Sequence, residues 1–285
     1  KDGRGALVIT SQNFHVDEQG NIRMPKFLSG IHIRARHQNV RQIRIKSCKN
    51  VIHISLLYEK KEAGKVESDT VMGIDLGVNN LIAAAWDSEM TPVIVNGRPI
   101  KSINQYFNKA RARLQKEAKT SNKRDKTRKL EKLTAKRNRK IKDYLHKASR
   151  KIVDLAEASG VGVIVIGNNH GWKQNSDMGN RINQNFVSIP YKMLVDMISY
   201  KARLEGIEVR IVRESYTSGT SYLDGEAPEV SYYNKTRRIR RGLFRSNTGI
   251  CINADVNAAY QIIKLGGIQE IRIKQREQIT KLKVA

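Results

Sequence analysis

The run Val161-Gly-Val-Ile-Val-Ile166 constrains the fold of this 285-residue chain more than any other segment, because it contains no polar side chain at all. A strand with one wet face alternates polar and apolar residues; an unbroken apolar run bounded by glycine is the pattern of a strand buried on both faces. Gly167 ends it. A helix is predicted from about Pro190 to Glu205, followed by a strand from Ile207 to Arg213. Strand, helix, strand in that order implies a parallel crossover pair. Three further strand candidates, Val71 to Gly77, Leu81 to Asp87 and Pro92 to Asn96, stand at hairpin spacing. The expected class is therefore α/β with a mixed sheet covered on both faces.

Two aspartates sit on these elements where a divalent metal can use them. In Val71-Met-Gly-Ile-Asp-Leu-Gly-Val-Asn-Asn80, strand alternation puts Asp75 on the same face as Gly73 and Gly77. The bare glycines are expected to leave room for a metal and a phosphate. In Asn253-Ala-Asp-Val-Asn-Ala-Ala259, Asp255 falls in the first turn of a helix running to about Lys264, where exposed N–H groups and the helix dipole favour negative charge. The two are 180 residues apart, so any shared site is assembled by the fold. A third acid is missing where it is first sought, because the buried strand ends in Gly167.

The chain carries 53 Lys and Arg against 27 Asp and Glu, a net charge of +26. A polyanion partner follows. A membrane is disfavoured, since no apolar run approaches the roughly 18 to 20 residues needed to span one. Between Arg98 and Lys151 there are 21 basic residues against four acidic ones, Glu117, Asp125, Glu131 and Asp143. Leu130, Leu133, Ile141, Leu145, Ala148, Ile152 and Leu155 keep helical spacing there, and Thr120 to Asn122 is expected to break the stretch into a basic helical hairpin. From Ala6 to about Tyr58 short β-like segments alternate apolar and basic residues, and Glu59 to Thr70 reads as a linker. The start, Lys-Asp-Gly-Arg, enters strand-like sequence directly, as expected of the C-terminal portion of something longer. Cys48 and Cys251 are isolated, which argues for a reducing, cytoplasmic setting and supplies no zinc cluster.

Three antiparallel strands, a helical stretch, parallel strands and a final acid-bearing helix is the element order of a ribonuclease-H-like domain. The motifs Gly-Ile-Asp-Leu-Gly-Val-Asn-Asn80, Lys-Ser-Ile-Asn-Gln-Tyr-Phe-Asn-Lys109, His-Lys-Ala-Ser-Arg150, Gly-x-x-x-x-Trp-Lys-Gln174, Ser-Tyr-Thr-Ser218 and Asn-Ala-Asp-Val-Asn-Ala-Ala259 together resemble the TnpB family. These are insertion-sequence-encoded, RNA-guided RuvC-type nucleases related to the type V CRISPR effectors. The resemblance runs from about Arg41 to Ala259. It implies part of an N-terminal β-barrel over residues 1 to 69, a RuvC-like domain in three pieces (70–97, 159–216, 251–285), the basic hairpin (98–158) inserted in it, and a target-nucleic-acid-binding insert (217–250).

Two departures from the family pattern matter. The usual glutamate at the end of the second buried strand is absent at Gly167, and Glu214 in Val-Arg-Glu-Ser-Tyr-Thr-Ser218 fits an alternative placement. Neighbouring strands lie about 4.8 Å apart, so a glutamate can reach back over a glycine. The cysteine pairs of a zinc ribbon are also missing, leaving the insert to hold itself by packing and by contact with nucleic acid; Asp224 and Glu226 are expected on its surface.

What the resemblance implies chemically is two-metal phosphodiester hydrolysis, with Asp75 bridging, Glu214 and Asp255 completing the shell, and two Mg²⁺ ions as the expected cofactor. Guide RNA and target DNA are the expected partners, with no membrane; monomer and homodimer stay open. Candidate nucleic-acid contacts on the first basic helix are Lys101, Asn104, Lys109, Arg111 and Arg113. On the second they are Arg137, Arg139, Lys140, His146, Lys147 and Arg150. Trp172, with Lys173 and Gln174, is either a base-stacking platform or a lid over the core, and Asn183, Gln184 and Asn185 form a polar cluster that either contacts a nucleic-acid backbone or is a plain loop. In the insert Tyr216, Arg237, Arg238, Arg240 and Arg241 complete the set, with Tyr232 and Tyr233 available for stacking. An RNA-guided endonuclease is the leading expectation, and a nuclease-dead RNA-guided repressor the alternative. A transposase that itself joins strands ranks third.

Overall fold

The computed structural model describes residues 5–48, 51–122, 127–168, 189–267 and 280–282. Trp172, Lys173 and Gln174, and the cluster Asn183, Gln184 and Asn185, lie outside the described residues. The chain divides into two compact units, Lys1–Glu62 and Ala63–Ala285.

The first unit is mainly β, with two short 3-10 turns at Ser11–Asn13 and Lys26–Leu28. Strands β1 (Ala6–Thr10), β5 (Val40–Cys48) and β6 (Val51–Tyr58) form one antiparallel sheet, and β2 (His15–Val16), β3 (Asn21–Arg23) and β4 (Ile33–Arg34) another. Ile9, Ile22, Met24, Ala35, Val40 and Ile43 make its core. Among the described residues no strand pairing joins the two sheets into the expected barrel. On β6 the alternation of apolar and basic residues does not give one buried face, since Ile52 and Ile54 are exposed on either side of the exposed His53.

The second unit is built on a six-stranded mixed sheet. Its strands are β7 (Val71–Leu76), β8 (Asn80–Trp86), β9 (Val93–Asn96), β10 (Val163–Gly167), β11 (Glu208–Val212) and β15 (Thr280–Leu282), in the order β11-β10-β7-β8-β9-β15. β7, β10 and β11 run parallel, while β7, β8 and β9 form an antiparallel meander. Ile164, Val165 and Ile166 are fully buried, as their unbroken apolar run requires. The basic tail adds β15, a strand parallel to β9 on its outer edge.

Helices α1 (Arg98–Asn122), α2 (Arg128–Ala158) and α3 (Tyr191–Leu204) precede α4 (Ala254–Leu265), and the short strands β12 (Arg238–Arg240), β13 (Leu243–Arg245) and β14 (Cys251–Asn253) form a small antiparallel sheet. Two cores lie on the two faces of the large sheet. Met72, Ile74 and Leu76 of β7 join Leu145, Ile152, Leu194 and Ile198 of α2 and α3 on one face; Val71 joins Ala259, Ile262 and Ile263 of α4 on the other. Alternation along β7 therefore turns Gly73 and Asp75 toward α4.

α1 continues through the expected break at Thr120 to Asn122, and α2 restarts at Arg128 with the Thr127 hydroxyl accepting from the Leu130 amide at 3.3 Å. Leu130, Leu133 and Leu155 are only half-buried; Ile141, Leu145, Ala148 and Ile152 carry the packing. Residues 63–70, expected as a linker, are pinned to the second unit: Ala63 N–H donates to Leu204, and Val66 N–H to Gly206. No helix among the described residues is long and apolar enough to cross a membrane.

Candidate active site

Three elements bring the acids together. Asp75 stands near the end of central strand β7, and Asp255 in the first turn of α4, whose N-cap Asn253 accepts the Asp255 and Val256 amides at 3.0 and 3.3 Å. Asn80, at the start of β8, donates its side-chain amide to Asp255 Oδ2 at 2.7 Å. The Arg238 guanidinium lies 3.7 Å from the other Asp255 oxygen. Glu214 follows β11, which ends one residue earlier than expected, at Val212, opposite Gly167 of β10. Its Oε1 accepts the Thr217 hydroxyl at 3.0 Å. Its Oε2 is buried and has no hydrogen-bond partner among the described residues.

Gly167 faces that orphaned oxygen. A Cβ placed there would lie 3.4 Å from Glu214 Oε2 and 2.5 Å from Ile262 Cδ1 of α4. The two glycines beside Asp75 serve differently from the expectation of room for a metal and phosphate. A Cβ at Gly73 would come within 2.2 Å of the Ala259 carbonyl oxygen, so Gly73 is the seat of α4 against the sheet. A Cβ at Gly77 would meet the Asn80 carbonyl at 2.7 Å, inside the β7–β8 turn.

The electrostatics are those of gathered, poorly neutralised acids. Burial first, then Glu214, then Asp255 push the Asp75 carboxyl well above the ordinary carboxylate range; Arg238 opposes them. Glu214 is raised by burial and by Asp255, against the Thr217 hydrogen bond and Arg238. Tyr191, at the start of α3, is raised by burial and by Asp75. Among the described residues no group of three or more His, Cys, Asp or Glu side chains is arranged to hold a metal ion. What fits a cation is the orphaned Glu214 oxygen over a bare glycine, with the Asp75 carboxylate costly to ionise unless positive charge arrives. Arg238, Arg240 and Arg241 line a cleft of about 1210 Å³ that also contains Asn80, Arg98 and Asp255.

The basic candidates divide into free and spent groups. Lys109, Arg111, Arg139, Lys140, Arg240 and Arg241 are exposed, and Lys101 is half-buried. Arg113 and Lys147 are exposed beside Glu117 (3.6 Å) and Asp143 (3.1 Å) one helical turn away. Asn104 is 1 % exposed and accepts Arg137 Nε at 2.9 Å. Arg137 likewise ties α2 to α1, its guanidinium 5.6 Å from the Phe107 ring. Arg150 is held by Asp154 (2.5 Å) and Glu205 (3.1 Å), joining α2 to the end of α3. Beside it the buried Lys201 donates to the His146 carbonyl and the Ser149 hydroxyl, both at 2.7 Å. Burial, Lys201 and Lys142 push the His146 imidazole down, away from a phosphate-pairing charge.

Arg237 is another structural residue. With Glu226 it forms a bidentate pair at 2.5 and 2.7 Å, the side chains only 13 % and 9 % exposed. Glu226 is thus inside the insert rather than on its surface, and Asp224 accepts the Asn247 amide at 2.8 Å. This pair, with Tyr222 stacked on Tyr260 at 4.1 Å, holds the segment before α4 by packing. Sequence reasoning missed the supporting residues Asn80 and Thr217. The signals were present in the second asparagine of Val-Asn-Asn80 and in a hydroxyl three residues beyond Glu214.

The family model described as "Probable transposase" (OrfB, IS605) matches residues 53–173, and the "Cas12f1-like, TNB domain" model matches residues 191–262. The chain is 30 % identical over 226 residues to a CRISPR-associated endodeoxyribonuclease Cas12f2 of a Micrarchaeota archaeon, covering 74 % of this chain and 40 % of that protein. It is 30 % identical over 169 residues to a TnpB-like protein of Methanocaldococcus jannaschii, covering 56 % and 58 %. Its fold is similar to that of a Cas12f1–sgRNA–target DNA complex solved by cryo-electron microscopy, with a TM-score of 0.60 at 22 % identity over 78 % of this chain and 45 % of that one. The chain therefore spans between two fifths and three fifths of the length of these two curated relatives. The matched segments lie between residues 53 and 262, and over them the chain is similar to the OrfB_IS605 transposases, a TnpB-like protein and Cas12f.

Proposed function

We propose that this chain is an RNA-guided DNA endonuclease of a transposon or type V CRISPR-like system, cutting through Asp75, Glu214 and Asp255. The observation that carries this is the electrostatic coupling of Asp75 to Glu214 and Asp255, with Glu214 Oε2 buried in front of Gly167 and without a partner among the described residues. The endodeoxyribonuclease named among the relatives and the guide- and target-bound complex among the similar structures support the substrate class.

Asp75, Glu214 and Asp255 are the residues to hold Mg²⁺, which when bound supplies charge neutralisation and a water nucleophile at neutral pH. The chain's own contribution is orientation. Asn80 and the Asn253 cap fix the Asp255 carboxylate; Thr217 fixes one Glu214 oxygen and leaves the other facing the site. Arg238, Arg240 and Arg241 line the cleft beside Asp255 and are placed to hold the phosphates of the strand to be cut. The exposed cations of α1 and α2 contact the nucleic-acid backbone, while base pairing with a guide RNA selects the sequence.

A second reading, a nuclease-dead RNA-guided repressor, is favoured by Gly167 alone. A guided-cleavage assay in Mg²⁺ on the wild type, Asp75→Ala and Glu214→Ala separates them. Target cleavage by the wild type and its loss in both variants is the expected result. Target binding without wild-type cleavage overturns the nuclease reading, and cleavage retained in Glu214→Ala overturns the assignment of the third acid.

A further inference from the structure

Two residues beyond Glu214, Tyr216 is the one non-glycine residue among those described with a positive φ, 61°. A bulky side chain in the left-handed region is a backbone outlier that persists only where its surroundings over-determine it. Here they do. The Tyr216 carbonyl accepts the Gly219 and Thr220 amides, each at 3.3 Å, and the Thr220 hydroxyl at 3.0 Å. Glycine or asparagine would satisfy this turn at lower cost, so the backbone alone gives no reason for an aromatic ring.

The ring itself is 44 % exposed, yet it is buttressed. Its edge meets Tyr233 at 5.7 Å between centroids and 70° between planes. Tyr233 in turn lies over Gly219, where a Cβ would come within 2.5 Å of its ring, and Asn234 N–H closes the arrangement on the Gly219 carbonyl at 3.0 Å. The same kink brings Thr217 back to Glu214. One turn therefore aims a carboxylate and holds an exposed aromatic ring in fixed relation to it.

We infer that the Tyr216 ring is a stacking platform for an unpaired base of a single-stranded DNA presented to the acid cluster. A rigid ring offers area to any base without losing rotamer freedom on binding, and a π-face does not discriminate between bases. The phosphates of the same strand would meet the arginines of the cleft. The choice of strand rests on the nuclease reading; the existence of the platform does not.

The test uses the full chain in EDTA with a short single-stranded deoxyoligonucleotide carrying 2-aminopurine, whose fluorescence is quenched on stacking. The wild type and Tyr216→Phe should bind and quench alike. Tyr216→Gly, which suits the turn but lacks the ring, should keep or raise the melting temperature, lose the quench and bind about ten- to a hundred-fold more weakly. Equal affinity and quenching in Tyr216→Gly overturns the platform, as does a drop in its melting temperature, which would make the ring a packing residue. A quench given only by the matching RNA oligonucleotide overturns the assignment to DNA. Quenching by a wild type that never cleaves in Mg²⁺ upholds the platform and overturns the nuclease reading instead.

Discussion

Replacing Asp75 with Asn should stabilise the metal-free protein while abolishing cleavage. Burial and two neighbouring carboxylates hold the Asp75 carboxyl well above its ordinary range, so the folded chain binds that proton more tightly than the unfolded chain does. The stability this proton confers is complete below the unfolded value of about 4 and is lost as pH rises through the raised folded value. Above that, the fold carries a buried charge opposed, among the described residues, by Arg238. Replacing poorly compensated buried charges by neutral groups typically returns about 1 to 4 kcal/mol. Taking about 2 kcal/mol, and about 2 to 4 °C per kcal/mol for a unit of this size, Asp75→Asn should melt about 4 to 8 °C above the wild type in EDTA near pH 8. The difference should vanish near pH 4, where both chains are neutral at this position. Millimolar Mg²⁺ should then raise the melting temperature of the wild type and not of the variant, because only the former gains a ligand that binds the folded state. A variant that melts below the wild type in EDTA near pH 8, or a difference that does not change with pH, refutes the reasoning.

Thr217→Val should weaken divalent-cation affinity and cleavage about tenfold, with Thr217→Ser near wild type, since the Thr217 hydroxyl donates to Glu214 and orients it; a Mn²⁺ titration reads the first and strand scission the second. Glu214→Gln should lower guided cleavage by at least about a hundred-fold, and adding Gly167→Glu with Ile262→Ala should restore part of it, because the new Cβ needs the space that Ile262 Cδ1 fills at 2.5 Å. Arg237→Ala should cost about 3 kcal/mol by stranding the buried Glu226 carboxylate, seen as a lower unfolding midpoint in urea. Arg240→Ala should leave that midpoint unchanged and reduce the salt dependence of DNA binding by about one phosphate contact.

The elements most legible in the sequence are those whose pattern is set by burial on a stated face. β7 to β11, α3 and α4 fall within a residue or two of expectation because their apolar periods are decided by the two cores of the large sheet. β15 was not legible: three residues of a basic tail have no period of their own, and the free edge of β9 recruits them. Composition announced a polyanion-binding face without saying which cations remain for it. Arg137, Arg150 and Arg237 are consumed by Asn104, Glu205 and Glu226, partners 33, 55 and 11 residues away whose proximity only the fold creates. Glycine was misread for a similar reason. Beside a carboxylate it suggested space for a ligand, whereas the space at Gly73 is already taken by the Ala259 carbonyl.

The family resemblance offers Glu214 as an alternative placement of the third acid, and in the proposed nuclease Gly167 supplies a physical reason for it. Ile262 packs where any side chain at 167 would begin, so an acid at 167 and an isoleucine at 262 compete for one volume. With Ile262 in the core, α4 sits against Gly73 and presents Asp255 toward Asp75; forcing a larger residue at 167 would push on the helix that carries the second aspartate. In the proposed nuclease, placing the third acid on the neighbouring strand meets this conflict by approaching the same position from the side, through a turn in which Thr217 and the left-handed Tyr216 fix its direction. The position of the glutamate and the packing of α4 are then one structural choice, and a substitution at Ile262 should be felt at the carboxylate before it is felt in the fold.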